Sequence, residues 1–328
     1  MHLLASSVAF TDTLFALMLV LTACGCFVVG INLMSRGFVH ASTRTDSFFT
    51  RGFDCKNRFA GAGFGFLHSF MTQSSDVTSV TLVRLSDIGA ITLFQACACI
   101  IGANIGTTAT TFIASLSGIE HLTDIFAFLA FIGAVPLLSK KRKVHIFGEI
   151  VAGFGILFVG LRLLGQEVEN PAFRELVSTI FLSTEAPILL VGIGIVLTSL
   201  VQSSSVVTSM VVFLTIGNLL PLPSALCLVV GANVGTCITA WIASIGSSRN
   251  ARVTAMFHTL FNIVGASIFM VVMYTPIRDP FVSWVEGVNT KAEYKVALFH
   301  LIFNLTAALV MIPLLRPSVW LSKKIVRH

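Results

Sequence analysis

The 328-residue chain reads as an all-α polytopic membrane protein made of two inverted-topology repeats, each with a re-entrant hairpin and an interrupted transmembrane helix. Composition, an internal duplication and the sorting of charge carry that reading. Hydrophobic residues make up 55% of the chain and charged ones only 11%, where a soluble domain holds about 25% charged. Mean hydropathy is +0.91, and the apolar residues come in runs of about 18 to 25, the length that crosses a bilayer. Too few charged side chains remain to cover a soluble particle, which excludes a soluble enzyme, a nucleic-acid binder and a disordered chain.

The duplication is read from polar residues, where general hydrophobicity cannot produce it. Gln73-Ser74-Ser75 recurs as Gln202-Ser203-Ser204, and Gly102-Ala103-Asn104-Ile105-Gly106-Thr107 recurs as Gly231-Ala232-Asn233-Val234-Gly235-Thr236. Both pairs stand 129 residues apart, as do Gly63 and Gly65 from Gly192 and Gly194. Over 63–115 against 192–244, 19 of 53 positions are identical without a gap, so one unit occurs twice.

Taken in order, the first span covers about 13–34. Leu21-Thr22-Ala23-Cys24 loosely resembles a lipoprotein cleavage site, but no Lys or Arg precedes it and the apolar run continues to Met34, so the segment is expected to be retained. Further spans are expected at 88–116, 123–139, 144–165, 220–246, 253–275 and 294–315. The segments 59–86 and 187–216 are apolar at both ends, with Gly-x-Gly ten residues before a polar Gln-Ser-Ser centre. Charge decides between a crossing and a hairpin for them. With two hairpins, Arg36, Arg44, Arg51, Lys56 and Arg58 share the inner side with Lys140-Lys141-Arg142-Lys143, Arg249, Arg252, Lys323, Lys324 and Arg327. The acidic Glu120, Asp124, Glu167, Glu169, Glu175 and Glu185 then lie outside, as the positive-inside rule prefers. Two crossings would instead put the basic stretches 36–58 and 140–143 on opposite faces. Arg84, at the return of the first hairpin, falls inside, while its counterpart Phe213 falls outside. The expected divisions are a first repeat over 1–139, a second over 144–275, and an extra C-terminal helix with a short cytoplasmic tail over 276–328. Three crossings per repeat invert the second unit, an arrangement typical of secondary transporters with sites near the membrane centre. The seven cysteines form no C-x-x-C pair, and their odd number argues against a disulfide framework.

Irregular backbone at membrane depth is tolerated only in packed protein or a wet cavity. A hairpin tip exposes the first N–H groups of its second arm, an anion site with helix-dipole character. Ser74, Ser75, Ser203, Ser204 and Ser205 add hydroxyls, and Gln73 and Gln202 add an acceptor and two donors each. Glycines around Asn104 and Asn233 would permit an unwound helix, freeing carbonyls for a hard cation such as Na⁺. Close helix packing through small residues is the competing use of the same motifs.

The paired Gln-Ser-Ser segments, each followed 29 residues later by Gly-Ala-Asn-[Ile/Val]-Gly-Thr, resemble the type II sodium–phosphate cotransporter family, in particular its bacterial members. Gly30–Phe38 and Gly153–Gly160 also resemble family patterns, and the likeness covers about 25–315. It implies Na⁺-coupled symport of inorganic phosphate in a bacterial inner membrane, with a cytoplasmic C-terminus, no cofactor beyond the coupling ion and no enzymatic activity. A homodimer is one partner it allows. It implies substrate contacts from Gln73, Ser74, Ser75, Gln202, Ser203, Ser204 and Ser205. Sodium ligands would come from Asn104, Thr107, Thr108, Asn233 and Thr236, with Asp76 expected to join them on its own chemistry. Two departures stand out. Asp76 replaces the serine that the second copy keeps as Ser205, and a carboxylate near the bilayer centre is costly and functional by default. It could ligate Na⁺ or carry a proton, and it would repel divalent phosphate unless a cation lay between them. Many relatives also carry a soluble helical domain after the membrane part, which is not expected here.

Phe257-His258-Thr259-Leu260-Phe261-Asn262 is echoed by Phe299-His300-Leu301-Ile302-Phe303-Asn304. His and Asn at i and i+4 share a helix face, so His258, Asn262, His300 and Asn304 are expected to brace neighbouring helices. Glu149 is expected to pair near the basic loop, and Lys140–Lys143 to anchor topology. The alternatives are the same fold carrying another oxyanion or using protons through Asp76 and, more remotely, an intramembrane hydrolase built on Ser74 and His258.

Overall fold

The structure, a computed structural model, describes residues 2–42, 55, 57–119, 121–181, 186–288 and 291–326. Arg44, Arg51, Lys56, Glu120, Glu185 and Arg327 lie outside these. The described residues form sixteen α-helices and no strand. The first half holds α1 (His2–Ser42), α2 (Arg58–Thr72), α3 (Ser75–Asp87), α4 (Leu93–Gly106), α5 (Thr108–Ser115) and α6 (Leu122–Leu137). The second holds α7 (Arg142–Val168), α8 (Pro171–Phe181), α9 (Pro187–Val201), α10 (Ser204–Ile216), α11 (Leu222–Gly235), α12 (Cys237–Ala243) and α13 (Arg249–Met273). Then follow α14 (Arg278–Val288), α15 (Ala292–Met311) and α16 (Leu315–Ile325).

Among the described residues, six stretches are long and apolar enough to cross a membrane: 11–41, 93–118, 142–168, 222–244, 249–273 and 292–311. Expected spans map onto all six. The seventh, expected over 123–139, is the 16-residue α6, about 24 Å long and short of the hydrocarbon thickness. Large apolar side chains point outward, among them Phe15, Phe131, Leu200 and Leu309, while buried Ser, Thr, Asn and His side chains share the interior with an apolar core. Six membrane-length apolar stretches with large apolar side chains on their outer surface make the chain an integral membrane protein.

Local chemistry sets the helix ends that matter. Asn57 starts α2 by accepting from the Phe59 N–H at 2.9 Å, and Thr92 with Gln95 forms a capping box at α4. Gln73 and Gln202 end α2 and α9 in the left-handed region, with φ of 52° and 56°. The next residues, Ser74 and Ser203, are extended and start α3 and α10. His68 on α2 meets Thr78 on α3 at 2.9 Å, so the chain reverses at the Gln73–Ser74 turn.

Helix packing repeats the duplication. α2 lies along α4, and α9 along α11. A Cβ on Gly65 would stand 1.9 Å from the Cys99 carbonyl oxygen; at the equivalent Gly194 it would stand 2.5 Å from that of Leu228. Gly102 and Gly231 abut the Ala62 and Val191 carbonyls in the same manner. Gly30 and Gly153 bring α1 onto α7, and Gly133 and Gly155 bring α6 onto α7.

The expected interruption after Gly-Ala-Asn is present but slight. Thr107 and Thr236 interrupt the helices while keeping right-handed helical dihedrals. The glycines around Asn104 and Asn233 therefore serve close packing and not unwinding. Local side chains occupy the carbonyls that unwinding would free: Asn104 Nδ2 donates to Ile100 O at 2.9 Å, Asn233 Nδ2 to Val229 O at 2.8 Å, and Thr236 Oγ1 to Asn233 O at 2.6 Å.

Candidate functional site

The two Gln-Ser-Ser turns sit beside the start of the helix that follows the other copy's Gly-Ala-Asn motif: α10 packs on α5 and α3 on α12. Two of the hydrogen-bonded contacts between them correspond under the 129-residue offset. Ser205, on α10, lies 3.5 Å from Thr110 Oγ1, on α5. Asp76, the counterpart of Ser205, accepts from Thr239, the counterpart of Thr110, at 2.9 Å. Each repeat thus gives its 76/205 position to the other's 110/239 position.

The first turn is the more tightly held. Thr110 Oγ1 lies 3.1 Å from both the backbone O and the Oε1 of Gln73, and Ser205 Oγ donates to the same backbone O at 3.3 Å. Ser74 Oγ accepts from the Val77 N–H at 3.2 Å, capping α3. Gln73, Ser74, Ser75, Ser204 and Ser205 are buried, and Asp76 and Ser203 are half-buried. Gln202 is exposed, and Ser203 makes no side-chain cap. The duplicated sequence has produced one closed turn and one open turn.

Asn104, Thr107, Thr108, Asn233 and Thr236 are buried. Asn233 Oδ1 is the hub of a second network: His300 Nε2 reaches it at 3.3 Å and Asn304 Nδ2 at 3.4 Å. His300 Nδ1 in turn lies 2.7 Å from Thr111 Oγ1, which stands 3.5 Å from Thr208 Oγ1. On α13, Asn262 Nδ2 donates to Cys237 Sγ at 3.4 Å, one turn beyond Asn233. His258 is fully buried, and neither ring nitrogen has a hydrogen-bond partner. Ser69 and Thr198, equivalent under the same offset, are also buried with unpartnered hydroxyls. Each such group costs about 1–3 kcal/mol when left dry.

Sequence reasoning missed Thr110, Thr111, Thr208 and Thr239. Thr110 and Thr239 were available as an identity at the 129-residue offset. Thr111 and Thr208 have no identical counterpart and left no signal. The side chains gathered around the two turns include one carboxylate, Asp76, among neutral oxygens. Among the described residues, no three His, Cys, Asp or Glu side chains gather as a metal-binding group. Outside the site, Glu149 does pair: its Oε2 is 2.7 Å from His40 Nδ1, tying α7 to the end of α1.

The profile of the Na⁺/Pi-cotransporter family matches the chain twice, over 26–166 and 161–279. Over 94% of its length the chain is 27% identical to YjbB of Escherichia coli K12, a protein named for inorganic phosphate export. It is 27% identical, over 74% of its length, to the uncharacterized YqeW of Bacillus subtilis. Over 42% it is 32% identical to the human sodium-dependent phosphate transport protein 2B. The chain spans about half (55%) of the length of YjbB. No solved structure matches it. One profile thus matches the chain twice, and each match takes in one copy of the duplicated motifs, so the chain belongs to the Na⁺/Pi-cotransporter family.

Proposed function

We propose that this chain is a secondary active transporter that moves inorganic phosphate together with Na⁺ by alternating access, through two inverted repeats with membrane-embedded hairpins. The observation that carries the proposal is the reciprocal pair of contacts, Ser205 with Thr110 and Asp76 with Thr239. A two-fold site between repeats can open toward one side by parting one contact and toward the other by parting its counterpart. Phosphate would be held by serine hydroxyls and the first-turn N–H groups of α3 and α10, which favour anions without a fixed cation. Na⁺ would be held by Asp76 with Asn and Thr oxygens, standing between carboxylate and phosphate. Gradients set the direction of such a carrier, which accommodates relatives named for export and for sodium-dependent transport alike. Coupling to protons through Asp76 is the second reading, favoured by the unsymmetrical carboxylate. The hydrolase reading is disfavoured: His258 lacks any hydrogen bond to a serine, and Ser74 Oγ is engaged as a helix cap.

Labelled phosphate flux into proteoliposomes tests the substrate. Arsenate, which shares phosphate's shape and protonation, is expected to compete at least tenfold better than sulfate. Sulfate carries no proton to donate at neutral pH, so one of the site's acceptors would go unpaired. Equal competition by sulfate would assign the site to oxyanions in general.

Sidedness provides a second test. Arg249 Nη2 donates to Lys323 O at 2.6 Å, and Arg58 Nη1 to Ile312 O at 3.3 Å, so these basic segments meet at one end of the molecule. Cysteines placed at 44 and 141 are expected to label from the same side of intact vesicles. Labelling from opposite sides would break the hairpin topology and the inverted-repeat reading with it.

A further inference from the structure

Away from the transport site, a cavity of about 540 Å³ opens where α2 begins and where α15 turns into α16. Two guanidiniums, Arg58 and Arg316, line it with Asn57, Pro313 and Pro317, and no carboxylate among the described residues does. Arg58 is fixed in place, with Nη1 on Ile312 O at 3.3 Å and its guanidinium carbon 5.3 Å from the centre of the Phe59 ring. The Asn57 carbonyl is used by the Phe59 N–H, which leaves its amide N–H₂ as a further donor. The volume is that of a small-molecule site, and two arginines with an amide are a donor set for a phosphate group.

The depth of the cavity identifies the source of that phosphate. α16 begins four residues after the span that ends at Met311. It buries Leu315, Ser318, Val319 and Ser322 against the protein. Leu314, Trp320, Leu321 and Ile325 are exposed, between 37% and 61%, beside Lys323 and Lys324. The Lys324 ammonium stands 5.2 Å from the Trp320 ring centre. An amphipathic helix with exposed Trp, aliphatic side chains and lysines at the end of a span lies in the headgroup layer. The two arginines are therefore held at the level of phospholipid phosphates.

We infer that this cavity is a binding site for the headgroup of an anionic phospholipid, held between Arg58 and Arg316. This goes beyond the transport reading and does not depend on it. A bound headgroup would pin the first turn of α2 to α16, and α2 leads directly to the Gln73 turn, so lipid composition would bear on the mobility of that turn.

The test uses the full chain, purified in neutral detergent, and reads its thermal unfolding midpoint during titration with phosphatidylglycerol, phosphatidylcholine or inorganic phosphate. Phosphatidylglycerol is expected to raise the midpoint by several degrees and phosphatidylcholine to leave it. Arg316→Gln, which keeps the Arg58–Ile312 bond and hence the fold, is expected to weaken the phosphatidylglycerol response roughly tenfold in apparent affinity. Arg58→Lys is expected to weaken it as well. The paired substitution Lys140→Gln with Lys141→Gln, which removes two exposed charges elsewhere, should leave it unchanged. A phosphatidylglycerol response of the same affinity in wild type and Arg316→Gln would overturn the site. A response to inorganic phosphate that is lost in Arg316→Gln, without one to phosphatidylglycerol, would overturn the lipid as its occupant.

Discussion

Gly102→Ala is expected to abolish recovery of folded protein, whereas Gly63→Ala leaves it intact. A methyl group on Gly102 would stand 1.7 Å from the carbonyl oxygen of Ala62 and 2.7 Å from the backbone N of Phe66. Backbone cannot rotate away, so α2 and α4 must part along their shared length. Overpacking of an ordinary core costs about 1–3 kcal/mol, and a backbone clash with no rotamer escape belongs at or above that range. Gly231→Ala should behave alike, since its Cβ would meet Val191 O at 2.1 Å. Within each Gly-x-Gly only the second glycine is constrained: Gly65 and Gly194 abut carbonyls, while Gly63 and Gly192 have nothing within 4 Å. Monodisperse yield and thermal midpoint of the four alanine variants at 63, 102, 192 and 231 check this directly. Folded Gly102→Ala protein at wild-type yield would mean that α2 and α4 do not pack as described.

The second large effect concerns Asp76. Asp76→Asn keeps shape and an oxygen for the Thr239 hydroxyl, now 2.9 Å from Oδ1, so the helix contact should survive and the protein should fold. The charge is lost. A carboxylate about 4 Å from a cation contributes on the order of 4 kcal/mol at the effective dielectric of a partly wet site. Apparent Na⁺ affinity for driving phosphate flux is therefore expected to fall at least tenfold and up to about a thousandfold. Asp76→Ser, which makes the first copy match Ser205, should lose Na⁺ affinity in the same way. If the Na⁺ and pH dependence of flux are both unchanged in Asp76→Ser, Asp76 is not a coupling residue. If Na⁺ dependence persists and pH dependence disappears, Asp76 carries a proton.

Much of this architecture was legible because the polar motifs are duplicated, and duplication is independent of hydrophobicity. Gln73 and Gln202 marked the turns, and both end a helix in the left-handed region at 52° and 56°. Asn104 and Asn233 marked the slight breaks that follow. Sequence reasoning assigned the wrong physical role to the surrounding glycines, because a glycine that permits unwinding and one that permits close approach are identical in sequence. Only the partner helix distinguishes them, and at Gly102 that partner is the α2 backbone 40 residues away. The helices α8, α14 and α16 went unread, since each has only 11 residues and no apolar run. The asymmetry of the two turns was also illegible. Gln73 is held by Thr110, whereas Gln202 is exposed, and only tertiary packing separates two identical tripeptides. Of the paired His and Asn residues, His300 and Asn304 reach Asn233, Asn262 reaches Cys237, and His258 reaches nothing. Nothing in the repeated His-x-x-Phe-Asn pattern foretold that difference.

The central claim is that phosphate crosses through the doubled site with Na⁺ as the driving ion. The most direct measurement is labelled phosphate accumulation in proteoliposomes holding the purified chain, with an inward Na⁺ gradient and with equal Na⁺ on both sides. Phosphate should rise above its equilibrium level only under the gradient, and the Ser203→Ala variant should lose at least nine-tenths of that accumulation. Phosphate accumulation that is absent, or indifferent to Na⁺, would contradict the account.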